Sequence, residues 1–461
     1  MRARSSLLAA ELRRMLRNGQ TKRLRDICEM GHPAVVADLL STLNSEEVWA
    51  VLGSASPRRR AEIFVHLPEA LQVDIVTSLT RSDIAHLLTD MPPDERTDLF
   101  KQLPRSLREA VLPALAQAER EDIRRLSSYE EGTAGAVMTS DYATLAPELT
   151  VAQALDHLRA VAPDKETVFY TYVVGADRKL LGFVSLKDLI IAPREARVAE
   201  IMHRDVIFAR ADEDQEEAAR RIQKYDLLAL PVVDARGVLV GIITHDDALD
   251  VITQEHTEDM EKLMAIGGSH RGPGYLSTSA WVHFRNRAGW LVGLAALGLA
   301  SGTIIRAFQS ILSRMLILAL YMPMLADTGG NAGSQSATVV VRALALREVS
   351  CRDFARVLWK ELKTATMLAA LLAFLSWGKV MFLSHGVQLP PGYTLPRIAM
   401  AIAVALGIQV VSATLIGALL PLAVAALNCD PALVASPALT TLVDITGLAI
   451  YFTTAKLLLG L

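Results

Sequence analysis

The stretch Ile398–Asn428 reads IAMAIAVALGIQVVSATLIGALLPLAVAALN and contains 31 residues without a charged side chain. A helix that crosses the hydrocarbon core of a bilayer needs about 20 mostly apolar residues, so this stretch predicts a membrane span. Four more stretches carry at most one charge each: Ala288–Ile305, Met315–Val341, Thr364–Ser384 and Pro431–Ala455. The C-terminal part of the chain therefore predicts an all-α membrane domain with five spans.

Charge is distributed unevenly along the 461 residues. The formal net charge of −3 and the 21% of charged residues resemble those of a soluble protein, but the charges are concentrated in residues 1–287. Residues 1–20 contain no apolar run long enough for a signal peptide. Cys28, Cys351 and Cys429 match no disulfide or metal spacing, and we expect them to be reduced. This asymmetry predicts a cytosolic module followed by a membrane module.

Basic residues in the short loops predict the sidedness. The loop between the second and third spans contains Arg342, Arg347, Arg352, Arg356, Lys360 and Lys363, whereas the loop His385–Pro396 contains no Lys or Arg. Because basic loops stay in the cytoplasm, five spans predict a cytoplasmic N-terminus and an outside C-terminus.

Residues 1–133 predict an α-helical superhelical N domain. Short amphipathic runs are separated by prolines, as in Val65–Glu69, Thr89–Pro93 and Gln102–Arg105. Proline is tolerated in the first turn of a helix and not in its interior, so each proline marks a boundary between stacked helices. The first 25 residues hold eight Arg or Lys and one Glu. They fit a solvated arm, or an arm that contacts anionic lipid or an acidic domain.

Residues 134–252 contain an internal duplication. Leu181–Asp188, which reads LGFVSLKD, returns as Val240–Asp247, which reads VGIITHDD, and each copy predicts helix, strand, turn, strand, helix. The repeated ending Gly-apolar-apolar-Ser/Thr-x-x-Asp resembles that of tandem CBS domains, an α/β pair that regulates an attached domain. By that resemblance Ser185 and Asp188, with Tyr170, are candidates for binding ATP. The alternative is that Ser185 and Asp188 only cap a helix.

Polar side chains inside the predicted spans are the candidate ion ligands. Asp444 lies about 12 Å along a helix that starts at Ser436, at 1.5 Å per residue, and an intramembrane carboxylate is by default a functional candidate. Thr440 and Thr441 add oxygens near it, and Asp430 would stand at the cytoplasmic end of the same pore. The alternative is a structural carboxylate that a neighbouring helix satisfies.

The second span contains the segment Asp327–Ser336, which reads DTGGNAGSQS. It is too polar and too rich in glycine for a regular lipid-facing helix, so we expect irregular backbone that lines water or protein. The alternative is a helix that packs closely through small residues.

The run Gly329–Gln335 (GGNAGSQ) and the segment Asp430–Gly447 together resemble the MgtE family of Mg²⁺ channels, as does the order of the modules. The resemblance covers essentially the whole chain. It implies a homodimer in a bacterial inner membrane, in which Asp444 of each subunit binds the permeating ion, with Asn331 in the matching Gly-rich run. It also implies a connecting helix at 253–279, between the CBS pair and the membrane domain at 280–461.

The residue types favour Mg²⁺ independently. Mg²⁺ requires octahedral oxygen coordination and dehydrates reluctantly. A site with a small number of carboxylates, supplemented by hydroxyl and carbonyl oxygens, therefore suits it. Zn²⁺ and Cu⁺ instead prefer His or Cys. Mn²⁺ and Co²⁺ remain alternatives.

A secondary solute transporter would require an intramembrane cation or an inverted repeat, and only Lys379 is available. No phosphate loop or nucleophile–base pair indicates an enzyme.

Between Asp205 and Glu261 the chain has fifteen Asp or Glu and five Arg or Lys. Like charges a few Å apart repel, so Mg²⁺ between acidic surfaces would draw them together and close the pore. The alternative is a solvated acidic face. The candidate sensor residues are Glu62, Asp94, Asp98, Asp214, Glu216, Asp226, Asp247, Asp250, Glu255, Glu258 and Asp259.

Overall fold

The computed structural model describes residues 2–267, 275, 278–427, 429–431 and 436–461. The chain forms two compact units, residues 1–255 with 272–277 and residues 256–271 with 278–461. Parts of the predicted connecting helix, residues 268–274, 276 and 277, lie outside the described residues. The three cysteines are free.

Short helices succeed one another through the N-terminal segment, as the prolines predict. Pro33, Pro57 and Pro93 each stand in the first turn of a helix, where a missing N–H costs nothing. One apolar core runs along the stack from Ala9 to Ile123. The helices are α1 (Arg2–Arg17), α2 (Thr21–Met30), α3 (Pro33–Leu40), α4 (Ser45–Leu52), α5 (Pro57–Val65), α6 (Glu69–Ser78), α7 (Arg81–Asp90), α8 (Pro93–Gln102), α9 (Arg105–Val111) and α10 (Gln117–Leu126).

The duplicated segment forms two small sheets of the same topology. In each, the first strand pairs in parallel with the second, and the second is antiparallel to the third. The first copy comprises β1 (Tyr142–Leu145), α11 (Val151–Val161), β2 (Thr167–Val174), β3 (Leu180–Ser185) and α12 (Leu186–Ile191). The second comprises α13 (Val198–Ile201), β4 (Ala209–Arg210), α14 (Gln215–Tyr225), β5 (Ala229–Val233), β6 (Leu239–Thr244) and α15 (His245–Leu263).

The segment that leads into each copy is hydrogen-bonded to the other copy. Thr139 N donates to Ile242 O at 2.8 Å, and Ile242 N returns a bond to Thr139 O at 3.0 Å. In the same way His203 and Phe183 exchange backbone bonds at 2.9 and 3.0 Å. Each leading segment therefore completes its neighbour's sheet.

The second unit is all-helical after residue 279. Its helices are α16 (Ala280–Ala307), α17 (Gln309–Arg314), α18 (Leu316–Ala345), α19 (Phe354–Leu383), α20 (Leu395–Ala426) and α21 (Ser436–Leu459). Among the described residues, four helical segments are long and apolar enough to cross a membrane: Ala280–Ala307, Cys351–Leu383, Leu395–Ala426 and Ser436–Leu459. Helix α18, which contains the expected second span, is 30 residues long but is not among them.

The expectation of irregular backbone at Asp327–Ser336 is wrong, because the whole segment is α-helical within α18. Its small residues let other helices approach closely. A Cβ on Gly330 would meet the Thr440 side chain at 2.9 Å, and one on Gly333 would meet Ala413 O at 3.2 Å. The glycines therefore serve close packing of α18 with α20 and α21, which is the alternative that small residues predict.

A buried glutamine ties these three helices together. Gln409 on α20 is 1% exposed, and its Nε2 donates to Leu325 O on α18 at 2.9 Å. Gly329 on α18 and Gly447 on α21 both face this side chain, and a Cβ on either glycine would collide with it. The sequence analysis did not single out Gln409, although a lone Gln in an uncharged span is a detectable signal.

Candidate ion-binding sites

Asp444 lies on α21, eight residues after the helix begins at Ser436, as predicted. Its Oδ1 atom is buried and has no hydrogen-bond partner among the described residues. A buried carboxylate oxygen without a donor is costly, so the neighbouring helices do not provide the satisfaction that a structural role requires. Asp444 is therefore a candidate ligand for a cation.

Hydroxyl groups extend from Asp444 toward the start of α21. Thr440 and Thr441 donate to the carbonyls of Ser436 and Pro437, each at 2.9 Å. Thr440 Oγ1 also lies 3.4 Å from Ser334 Oγ, and Ser436 Oγ donates to Ser334 Oγ at 3.1 Å. Because the Thr protons are used within the helix, the Thr lone pairs remain available as acceptors for the water shell of a cation.

Asn331, the other predicted pore residue, is exposed on α18 and donates to Asp327 Oδ1 at 3.3 Å. No contact between Asn331 and Asp444 is found among the described residues. In the single chain, therefore, Asn331 is not part of the hydroxyl array.

Asp430 is paired with a lysine that sequence reasoning missed. Lys262 Nζ lies 2.9 Å from Asp430 Oδ2 and 2.6 Å from Glu258 Oε1. Burial opposes the charge on Lys262, but the two carboxylates raise its pKa and keep it protonated. Glu258 and Lys262 are one helical turn apart at the end of α15. A cation supplied by the protein thus occupies the predicted cytoplasmic mouth.

In the first unit, the structure brings four of the predicted sensor acids into one electrostatic cluster: Asp94, Asp98, Asp247 and Asp250. The Oδ1 atom of Asp94 is buried without a hydrogen-bond partner among the described residues. Burial, followed by repulsion from Asp247, raises the pKa of Asp94. Such a crowd of acids is unfavourable without a cation.

Two members of this cluster, Glu95 and Glu166, were missed. Burial, followed by repulsion from Asp94 and Asp98, raises the pKa of Glu95 to about 8. Burial also raises the pKa of Glu166, with repulsion from Asp247 added. Glu95 is adjacent to Asp94 in the sequence and was detectable, whereas only the fold brings Glu166, at the foot of β2, to this place.

The other sensor candidates have local partners. Glu62 contacts Arg59 at 2.7 Å and Arg58 at 3.5 Å. Asp214 caps α14 by accepting the Glu216 N–H at 2.8 Å, and Glu216 binds Arg220 at 2.5 Å. Asp226 ends α14 in a left-handed conformation, and Glu255 accepts a 2.6 Å bond from Gln215. Asp259 lies on α15.

Within the described residues, no three His, Cys, Asp or Glu side chains converge to hold a metal ion directly. For Mg²⁺ this matters less than for Zn²⁺, because Mg²⁺ commonly keeps several waters and contacts only one or two carboxylates. The cluster offers negative charge rather than a closed set of ligands.

The nucleotide candidates form a helix cap. Ser185 Oγ donates to Asp188 Oδ2 at 2.6 Å and accepts the Asp188 N–H at 3.1 Å, which is a capping box at the start of α12. Asp188 also lies 3.1 Å from His203 Nε2. Tyr170 pairs with Ser185 across the β2–β3 ladder, and its ring contacts Phe183 edge-on at 5.6 Å. The capping alternative is therefore present in the structure.

Comparison with known families accounts for most of the chain. Residues 322–454 match the family MgtE, described as "Divalent cation transporter", and residues 31–132 match "MgtE intracellular N domain". Residues 134–195 and 198–254 match "CBS domain". These matches follow the order of modules predicted from the sequence.

Curated relatives match nearly all or most of the chain. The "Magnesium transporter MgtE" of Thermus thermophilus is 41% identical over 460 residues, which cover 98% of each chain. The protein of the same name from Bacillus subtilis is 35% identical over 74% of this chain and 72% of its own.

Two solved structures resemble the N-terminal half. The soluble part of a magnesium transporter is 32% identical, has a TM-score of 0.51, and covers 54% of this chain and 99% of its own. The cytosolic domain of the Mg²⁺ channel MgtE in complex with ATP is 37% identical, has a TM-score of 0.50, and covers 53% and 99%. The chain thus belongs to the MgtE family of divalent cation transporters.

Proposed function

We propose that the protein is a channel that imports hydrated Mg²⁺ across the bacterial inner membrane and closes when Mg²⁺ binds on the cytosolic side. The observation that carries the proposal is the buried, unpartnered Oδ1 atom of Asp444 beside the Thr440 and Thr441 hydroxyls. One full carboxylate charge among neutral oxygens attracts a divalent ion without stripping its waters. The curated relatives that match nearly all or most of the chain are magnesium transporters.

The working unit in this proposal is a homodimer with five spans in each chain, a cytoplasmic N-terminus and an outside C-terminus. Helix α16 buries none of its residues against the rest of the described chain, which suits a helix that faces lipid or a second subunit. Helix α18, the second span in chain order, completes the five. Its packing partners α20 and α21 compensate for its low apolarity, and exposed Asn331 is then free to face the path shared by two subunits.

Flux into proteoliposomes tests the pore assignment. Asp444→Ala should abolish Mg²⁺ entry, and Asp444→Asn should be nearly as damaging, because a neutral amide cannot replace the charge. Lys379→Gln, which removes a charge from exposed α19 surface, is the matched control and should conduct. Parallel assays with Mn²⁺ and Co²⁺ define the selectivity. Normal conduction by a folded Asp444→Ala dimer would remove Asp444 from the pore.

Closure in this proposal begins at the acid cluster of the first unit. Mg²⁺ with its waters neutralises the repulsion between α8, which carries Asp94, and α15, which carries Asp247 and Asp250. The N domain and the second CBS copy are then held together. Raising Mg²⁺ inside the vesicles should lower flux, and deleting residues 1–133 should remove that dependence. An unchanged dependence would exclude the N domain from the sensor.

Lys262 provides a lock on the closed state. Its ammonium group lies between Glu258 and Asp430 at distances of 2.6 and 2.9 Å, so it takes the place of an ion at the pore mouth. Lys262→Met should increase flux a few-fold at a closing Mg²⁺ concentration and leave open-state flux unchanged. Lys224→Met, on exposed α14 surface, is the control. Equal flux in the two variants at all Mg²⁺ concentrations would exclude the lock.

ATP is the proposed modulator. A similar cytosolic domain was solved in complex with ATP, and the start of α12 offers Ser185 and Asp188 with the Tyr170 ring nearby. Because Ser185 and Asp188 bond each other, nucleotide binding would have to exchange that internal bond for bonds to a ribose.

A further inference from the structure

A polar cavity of about 340 Å³ lies in the first unit, and its lining includes neither the acids of the sensor cluster nor Ser185 and Asp188. Its walls come from α10 of the N domain, from β1 and α11 of the first CBS copy, and from the turn between β2 and β3. The lining contains three side chains with fixed positive charge, Arg125, Lys165 and Arg178, and also His157. Two carboxylates, Asp122 and Asp141, face the same space.

The two carboxylates do not neutralise all of the positive charge of the lining. Arg125 binds Asp122 at 2.8 Å and Lys165 lies 3.7 Å from Asp141. Arg178 then remains as the excess cation, because its recorded contact is with a neutral group, the Tyr142 hydroxyl at 3.3 Å. The net charge of the lining is therefore positive.

Two polar atoms on the lining residues lack partners. Ser140 Oγ and Arg125 Nε are buried, and neither has a hydrogen bond among the described residues. A hydroxyl and a guanidinium N–H are both donors, and buried donors are normally satisfied. Two residues of the lining thus have donors that the described chain does not use, beside an excess of positive charge.

The duplication supplies an independent argument for Arg178. The turns Gly175–Arg178 and Asp234–Gly237 are equivalent, and both are closed by a bond from the last N–H to the first carbonyl, at 2.9 and 3.0 Å. The last residue of each turn has a positive φ, +80° at Gly237 and +60° at Arg178. Glycine adopts this conformation freely, whereas a residue with a side chain is strained there. Retaining arginine where the sister copy has glycine indicates a role for its side chain.

We propose that this cavity binds a small phosphate-bearing anion, which Arg125, Lys165 and Arg178 hold together with the Ser140 hydroxyl. Guanidinium groups match the oxygens of phosphate in pairs, and the volume lies at the lower end of the range for small-molecule sites. An orthophosphate, a diphosphate or the phosphate end of a phosphomonoester fits this chemistry. The bound anion connects α10 of the N domain to the first CBS copy.

Calorimetry on the full chain in nanodiscs tests the site, with inorganic pyrophosphate and orthophosphate as probes in Mg²⁺-free buffer. We expect saturable binding at one site per chain. Arg178→Gly and Lys165→Gln should each weaken it at least tenfold. Arg178→Gly should also raise the melting temperature without anion, because it introduces the residue that the sister turn carries. Arg236→Gln, on the second turn, is the matched control and should bind normally.

An ATP titration separates the two sites. ATP that binds through its phosphates here should still bind when Asp188→Ala removes the candidate nucleotide site, and should be weakened by Arg178→Gly. The proposal is overturned if neither inorganic probe saturates, if Arg178→Gly binds them as the natural chain does, or if Asp188→Ala abolishes all anion binding.

Discussion

The two CBS copies place the same motif in opposite electrostatic surroundings. Asp188 ends the motif in the first copy, where burial opposes its charge but hydrogen bonds from Ser185 and His203 outweigh this and lower its pKa. Asp247 ends it in the second copy. There Thr244 gives an equivalent bond at 2.5 Å, yet burial with repulsion from Asp246 and Asp250 raises its pKa.

The difference teaches that a capping motif does not determine what its carboxylate does. Asp188 has a cationic or polar neighbour, His203, and is stable as an anion without further help. Asp247 is repelled by Asp94 of the N domain, so a cation from solution would favour its ionised form. In the proposed function the first copy therefore binds the nucleotide and the second binds Mg²⁺, although both copies carry the same sequence pattern.

The largest expected effect separates the copies by their response to Mg²⁺. Asp247→Asn removes a charge from the sensor cluster and should raise the Mg²⁺ concentration for half-closure at least tenfold in proteoliposome flux. Asp188→Asn is the matched change in the first copy and should leave that concentration unchanged. Equal shifts in the two variants would break the comparison.

ATP binding should depend on the first copy more than on the second, which is the reverse of the expected dependence on Mg²⁺. Asp188→Ala should weaken ATP binding about tenfold by calorimetry, because it removes the carboxylate available to a ribose, whereas Asp247→Ala should weaken it much less. If ATP raises Mg²⁺ affinity in the natural chain, Mg²⁺ must raise ATP affinity by the same factor. Millimolar ATP without detectable heat would remove the nucleotide from the proposed function.

A smaller effect is expected in the pH dependence of stability without Mg²⁺. Because the folded-state pKa values of Asp94, Glu95 and Asp247 are raised, the folded protein binds more protons than the unfolded chain. Their stabilising contribution is complete below the ordinary carboxylate pKa of about 4 and is lost as pH rises toward about 8, the value for Glu95.

The melting midpoint of the full chain should accordingly fall between pH 5 and 8 in chelator and fall less with millimolar Mg²⁺. Asp247→Asn should flatten the slope in chelator, whereas Asp156→Asn, on exposed α11 surface, should not. A slope that Mg²⁺ leaves unchanged would show that the cluster binds no cation.

Much of the fold was predictable because its signals are local. Prolines mark the ends of the N-domain helices, and the duplicated motif indicates the two sheets. The helical backbone at Asp327–Ser336 was not predictable. Composition alone does not distinguish glycines that break a helix from glycines that leave room for the side chains of Gln409 and Thr440. The acids were predictable individually, but their grouping depends on contacts between α8 and α15. Lys262 was missed because the sequence was searched for acidic residues and not for the lysine that pairs with them.

The exchanged leading segments have a consequence for how the CBS pair folds and how it arose. Ala134 and Met138, which precede the first copy, lie in the apolar core of the second, and Met202 packs against the core of the first. Neither copy can complete its sheet or its core alone, so a cut between them should unfold both halves, and the intact pair should melt in one cooperative step. Two separate single-copy chains would form the same contacts by exchanging their leading segments, as in a domain-swapped dimer. The tandem pair has the geometry of such a dimer whose genes were joined end to end.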